Sequence, residues 1–163
     1  GQIQLVDVPD LEAAQARAVS AAALSTWRQH PQVAAVFTRE QLLALPSPGG
    51  PPDQWNLEQE ARASFDAERS GDFVVLLKPR VTPIAAAAPG YIATHGSPWD
   101  YDRRVPILFW RNHLAGFEQP NAVETVDIAP TLAAQIGLKI PAAEIDGRCL
   151  DLTRGEGDAC ASP

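Results

Sequence analysis

The chain opens with apolar residues alternating with polar ones: Ile3 and Leu5 stand between Gln2 and Gln4 before Val6, a period of two that predicts a strand over residues 2–8, ended by Pro9. Asp10 then fits a helix N-cap. From Leu11 to His30 there is no Gly or Pro, and Ala16, Val19, Ala23 and Trp27 fall on one helical face, with Pro31 forcing a stop. Gln32–Thr38 returns to β-forming residues, so the first 38 residues form a βαβ-type unit. Its strands pair directly in parallel, or a later strand lies between them as in a split, ferredoxin-like βαβ. Thr38 and Gln41 fit a capping box that opens a short helix over Arg39–Leu45. The run Pro46-Ser-Pro-Gly-Gly-Pro-Pro52 then breaks all periodicity. A helix over Asn56–Glu68 follows, closed by Ser70-Gly71, and Asp72–Lys78 (DFVVLLK) is a nearly continuous apolar run that predicts a buried central strand.

Residues 79–94 are punctuated by Pro79, Pro83, Pro89 and Gly90 and lead into a dense polar and aromatic stretch. Val105–Trp110 reads as a short strand and 111–122 as loop. In the last helix Pro130 is tolerable only within the first turn, which makes Asp127 its N-cap, with Ile128, Leu132 and Ile136 as its buried face and Gly137-Leu138 as a Schellman-type ending. These elements describe one α/β domain over 1–152, made of the βαβ-type unit (1–45), a Pro/Gly loop (46–54) and a C-terminal core (55–152), with a polar tail at 153–163.

Composition narrows the function. A chain of 163 residues fits one compact domain. Its 13 Lys and Arg against 20 Asp and Glu give a net charge of −7, the wrong sign for neutralising the phosphates of a nucleic acid polymer. No stretch approaches the ~20 apolar residues that span a bilayer. Three His, two Cys and the absence of CxxC or HxxxH spacing exclude a self-sufficient structural zinc site. Met is absent, and a chain beginning Gly1-Gln2 is expected to be processed or part of something longer. The 27 Ala, and Arg at 11 against Lys at 2, suggest a GC-rich bacterial genome. Cys149 and Cys160 enclose ten residues with two Gly in polar surroundings, which favours a disulfide and an oxidising compartment over two free thiols.

Candidate chemistry concentrates in GYIATHGSPWDYDRRVP, residues 90–106. His95, before Gly96-Ser97-Pro98, sits on a sharply turning backbone. It can present a metal ligand, or it can cap a carbonyl or pack on Trp99; spacing by itself favours the structural turn. Asp100 and Asp102 could add oxygen ligands, but next to Arg103-Arg104 they suit local turn bonds and ion pairs better. His30 precedes Pro31 at a helix C-terminus, where an imidazole favourably faces the negative end of the dipole. His113 lies in a polar loop and reads as solvated. Ser97 lacks the GxSxG elbow of a nucleophile.

THGSPWDYDRRVPILFW, followed by VETVDIAPTLAAQIGL and then IDGRCL, resembles the C-terminal part of the catalytic domain in the alkaline phosphatase superfamily, nearest to bacterial single-chain alkaline phosphatases and phosphodiesterases of the nucleotide pyrophosphatase type. VFTREQLL and RASFDAERSGDFVVLLKP also look like this group, so the resemblance covers most of residues 33–152. Trp99 stands where Tyr is usual and Ala93 where Thr or Gly is common; neither is a ligand, and both bear on substrate preference. The resemblance implies that His95 is a ligand of one of two active-site zinc ions. It also implies hydrolysis of phosphate esters through a covalent phospho-enzyme, in which two metals activate the nucleophile and stabilise the attacking and leaving oxygens. The family's Thr or Ser nucleophile and its remaining Asp and His ligands match no position here.

The implied architecture is a three-layer α/β arrangement with four to five strands in a mixed sheet, incomplete on one edge where strands of an upstream part of the same polypeptide belong. Such an edge invites homo-oligomers. The implied setting is periplasmic or secreted. Two other readings share this fold: a non-catalytic α/β binding or interaction module derived from the superfamily, and a ferredoxin-like interaction unit in the first 78 residues with the His loop packed against it. Since catalytic zinc takes three protein ligands, the isolated chain is expected neither to bind zinc tightly nor to hydrolyse p-nitrophenyl phosphate. Zinc-dependent turnover by the purified 163-residue chain would refute this expectation.

Overall fold

A computed structural model describes residues 2–3, 12–84, 86, 88–90, 93–154 and 160. They form two compact units, one over Gly1–Gly49 and Trp55–Arg104, the other over Gly50–Gln54 and Val105–Pro163.

The first unit is built on a small sheet of β1 (Gln2–Ile3), β2 (Val33–Thr38) and β3 (Phe73–Leu77) in the order β1-β3-β2. Both neighbouring pairs are antiparallel, so β1 and β2 run the same way with β3 between them, which is the split βαβ arrangement. The expected mixed sheet of four to five strands is corrected to three strands with antiparallel neighbours among the described residues. Of the strand expected over 2–8, only Gln2–Ile3 is described; residues 4–11, Asp10 included, lie outside the described set.

Helix α1 (Ala13–Gln29) links β1 to β2. Its cap is Glu12, whose N–H donates to Gln15 Oε1 at 3.1 Å. Of the expected apolar face, Ala23 and Trp27, joined by Leu24, pack on the sheet, whereas Val19 stays half exposed. Among the described residues, only the second half of the helix packs on the sheet. β2 carries a bulge between Val33 and Ala35, and this irregularity lets Val33 and Val36, three residues apart, share the face toward α1. Helices α2 (Arg39–Ala44) and α3 (Leu57–Ala63) cover the other face, each opened by a capping box, Thr38 with Gln41 and Asn56 with Gln59. β3 therefore buries both faces, Phe73 and Val75 toward α1, Val74 and Leu76 toward Leu42, Ala61 and Phe65. Each such large side chain contributes roughly 1.5–3 kcal/mol of burial.

α3 is shorter than expected because the chain turns at Asp66, whose Oδ1 accepts from the main-chain N–H of Glu68 and Arg69 at 2.9 Å each. These bonds hold the Asp66 carboxyl below its ordinary value. Arg39 then locks this turn, donating to the carbonyls of Ser70 and Ala67 while its guanidinium lies 5.8 Å from the Phe65 ring centroid.

In the second unit a 3-10 turn at Thr125–Asp127 runs into α5 (Ile128–Gln135), with Pro130 in its first turn. Gly137, at φ +68°, ends it in the expected Schellman geometry, with Leu138 N–H donating to Ala133 O at 2.9 Å. Two expectations are corrected. Val105–Trp110 pairs with no strand among the described residues, and Pro106 lacks a donor in any case. Of the α5 face expected to be buried, Ile128 is half-buried but Leu132 is 51% and Ile136 77% exposed, while Asp127 and Thr131 are buried.

The reason is polar. The Asp127 carboxylate accepts from Glu124 N–H at 3.0 Å and from Arg148 N–H at 2.9 Å, and Arg148 Nε lies 3.7 Å away. The Thr131 hydroxyl donates to Asp127 O at 2.6 Å and accepts from Leu150 N–H at 2.9 Å. Asp127 thus stands at the helix start as expected but caps by gripping Glu124 and the 148–150 segment instead of its own helix. Cys149 is disulfide-bonded to Cys160. Gly147 passes so close to the preceding turn that a Cβ would sit 2.0 Å from Val126 O. Gly147→Ala is expected to cost at least about 1–3 kcal/mol through forced displacement of that segment, read as a loss of several degrees in the thermal midpoint by circular dichroism.

Candidate functional site

The His95 loop is fastened to the end of β3. Trp99 Nε1 donates to Leu77 O at 2.9 Å, and Tyr101 Oη accepts from Arg80 N–H at 2.7 Å. Arg80 is held at φ +62°, a left-handed conformation uncommon for a non-glycine residue. Between these pins runs the single turn α4 (Asp100–Arg103), whose Asp100 and Asp102 sit at its positive end and Arg103 at its negative end.

The turn carrying His95 closes back on α4. Gly96 takes φ +96°, which a side chain would resist, and the next N–H, of Ser97, donates to Asp102 Oδ2 at 2.6 Å. That bond, with the nearby His95 imidazole, holds the Asp102 carboxyl below its ordinary value of 3.8. Arg103 reaches across to Glu60 on α3. Glu60 is raised from 4.5, first by burial and then by the charge of Asp100, against the opposing pull of Arg103. Arg104 Nε meets Asp100 Oδ2 at 3.5 Å with both side chains 61% exposed, a pair that contributes little. Asp100 and Asp102 make the turn bonds and ion pairs that their spacing suited.

His95 itself is exposed at the outside of this turn. The other two histidines are elsewhere. His30 follows α1 as its C-cap, its ring 5.8 Å from Trp27 and its Nδ1 accepting from Gln32 N–H at 3.3 Å. His113 is exposed in a loop of the second unit at φ +65°. Ser97 contributes its main-chain N–H to the loop.

No family model matches the chain. It is 60% identical over 152 residues to alkaline phosphatase PhoK of Sphingomonas sp, an alignment spanning 93% of this chain and 27% of that protein. It is 58% identical over 139 residues to alkaline phosphatase PhoD of Zymomonas mobilis, covering 85% of this chain and 24% of the relative. The chain is similar to one part of these alkaline phosphatases. It spans about a quarter of the length of these relatives.

Among the described residues no group of three or more His, Cys, Asp or Glu comes together, so His95 has no ligand set and the donors present do not fit a catalytic zinc alone. What this loop presents is one exposed imidazole on a turn fixed by four side chains, Trp99, Tyr101, Asp102 and Arg103. Sequence reasoning missed Trp99, Tyr101 and Glu60 in these roles. Trp99 and Tyr101 flank Asp100 as large side chains with polar tips, a signal of anchoring, but Glu60 is 43 residues from Arg103 and had none.

The Ser97–Asp102 bond is directly testable by amide exchange. The Ser97 amide is expected to be protected in the parent chain, to remain partly protected in Asp102→Asn and to lose protection in Asp102→Ala. Because the Asp102 carboxyl is depressed, its stabilising contact is complete above the unfolded value of 3.8 and is lost only as pH falls through the lower folded value. Protection that disappears above pH 3.8 would contradict this geometry.

Proposed function

We propose that this chain is the C-terminal segment of a zinc-dependent phosphatase, with the three-layer α/β fold of that superfamily, which hydrolyses phosphate esters through a covalent phospho-enzyme. His95 is one zinc ligand; the nucleophile and the other ligands come from another part of the same polypeptide. The reading is carried by one observation, the 60% identity to an alkaline phosphatase over 93% of the chain. The rigidly braced turn beneath His95 supports it, since a metal-binding imidazole must be held in a fixed place before the metal arrives. The relatives' names favour a phosphatase over a phosphodiesterase or nucleotide pyrophosphatase. The Cys149–Cys160 disulfide supports a periplasmic or secreted location.

The test uses the complete polypeptide that contains this segment. His95→Ala is expected to lower bound zinc by one equivalent of two, measured by atomic emission, and to reduce kcat/KM for p-nitrophenyl phosphate by about a hundredfold or more, with the fold intact by circular dichroism. Unchanged zinc content and activity would remove His95 from the site, and a complete polypeptide with neither zinc nor activity before substitution would favour a non-catalytic module.

A further inference from the structure

The turn that carries His95 is too short to hold itself. α4 is a single helical turn, which fixes many dihedrals for few main-chain bonds, so its placement comes from side chains that reach other elements. Two of these, Trp99 and Tyr101, end on Leu77 O and Arg80 N–H at 2.9 and 2.7 Å, close together at the end of β3. Two ties on one short stretch define a hinge line, about which the turn can still rotate. Arg103 supplies a tie off that line. It leaves the last position of α4 and pairs with Glu60 in the middle of α3, the helix that packs Ala61 into the core beside Leu42.

Stability does not account for this pair. The Glu60 side chain is 9% exposed and that of Arg103 25%, and Glu60 Oε2 is buried without a hydrogen-bond partner among the described residues. Burial raises the Glu60 carboxyl above its ordinary 4.5 despite the opposing pull of Arg103, so the attraction does not offset the lost hydration. Two apolar side chains of similar volume would fill the same space at no loss of stability. What apolar packing lacks is direction, whereas a guanidinium meets a carboxylate only over a narrow range of positions.

We infer that Glu60 is a positioning residue for His95: by anchoring Arg103 it stops α4, and the turn folded back onto α4, from swinging about the end of β3, and so fixes where the imidazole is presented to zinc. The inference rests on the proposed reading of His95 as a zinc ligand. The path is short. Arg103 N–H donates to Trp99 O at 3.0 Å, Asp102 beside it accepts from Ser97 N–H at 2.6 Å, and Ser97 follows His95 by two residues. A shift of Arg103 is passed along this path to the imidazole, and a misplacement of about 1 Å costs on the order of a hundredfold in rate. Glu60 contacts Arg103 and acts only through it, so its effect falls on zinc affinity and kcat more than on KM.

The complete polypeptide that contains this segment provides the test, with zinc affinity measured by chelator competition, hydrolysis of p-nitrophenyl phosphate, and hydrogen–deuterium exchange of peptides spanning residues 95–98. Glu60→Ala is expected to lower zinc affinity and kcat by about tenfold or more, to leave KM within about twofold, and to speed exchange at Gly96 and Ser97. Glu60→Gln, which keeps an oxygen for Arg103, is expected to recover most of each loss. Arg62→Ala is the control on the same helix. Arg62 Nε donates to Leu45 O at 3.1 Å and not to α4, so its loss is expected to lower the thermal midpoint while zinc affinity and kcat stay unchanged. Parent values of zinc affinity and kcat in Glu60→Ala overturn the inference, and if His95→Ala loses zinc and activity the phosphatase reading survives. Equal losses of zinc affinity in Arg62→Ala and Glu60→Ala also overturn it, because Glu60 then acts through helix stability. If His95→Ala changes neither zinc content nor activity, the phosphatase reading falls and the inference falls with it.

Discussion

Strand β3 has no polar face to offer water. Phe73, Val74, Val75 and Leu76 are all buried, two on each side, so the sheet exists in the first unit only while helices cover both its surfaces. That constraint places α1 on one side and α2 and α3 on the other, and it fixes where the strand ends. Leu77 O, at the end of β3, takes the Trp99 indole, and Arg80 N–H just after it donates to the Tyr101 hydroxyl. The loop that carries His95 is therefore positioned by a buried strand that contributes no chemistry.

The second unit is organised by charge and hydroxyl groups where an apolar helix face was expected. Burying Asp127 is costly unless every lone pair finds a donor, and Glu124, Arg148 and the Arg148 guanidinium meet that requirement. Once Asp127 and Thr131 point inward, the helix's rotation is set, and Leu132 and Ile136 must point outward. Gly147 belongs to the same arrangement, because only a residue without Cβ lets Arg148 and Leu150 come within reach of Asp127 and Thr131.

The elements that were legible in the sequence are those decided within a few residues. The capping box at Thr38, the Schellman ending at Gly137 and the buried run of β3 all follow from neighbours in the chain. Asp66 ended α3 early through an equally local bond, but that signal sits among residues of helical composition and was read as helix. Val105–Trp110 has the composition of a strand but no strand partner among the described residues, which composition cannot supply.

For the candidate site the division is similar. The turn at His95-Gly96 and the local role of Asp102 are properties of nine consecutive residues, since Asp102 reaches back only five positions to Ser97. The contacts that hold this turn to the rest of the unit span 21 residues to Arg80, 22 to Leu77 and 43 to Glu60. Sequence alone determined where a ligand-bearing turn could form and that it sits beyond a buried strand, because backbone geometry and apolar burial are local preferences. Only the tertiary structure decided which groups brace the turn and which face of α5 turns inward, because burying a carboxylate depends on donors that distant segments bring.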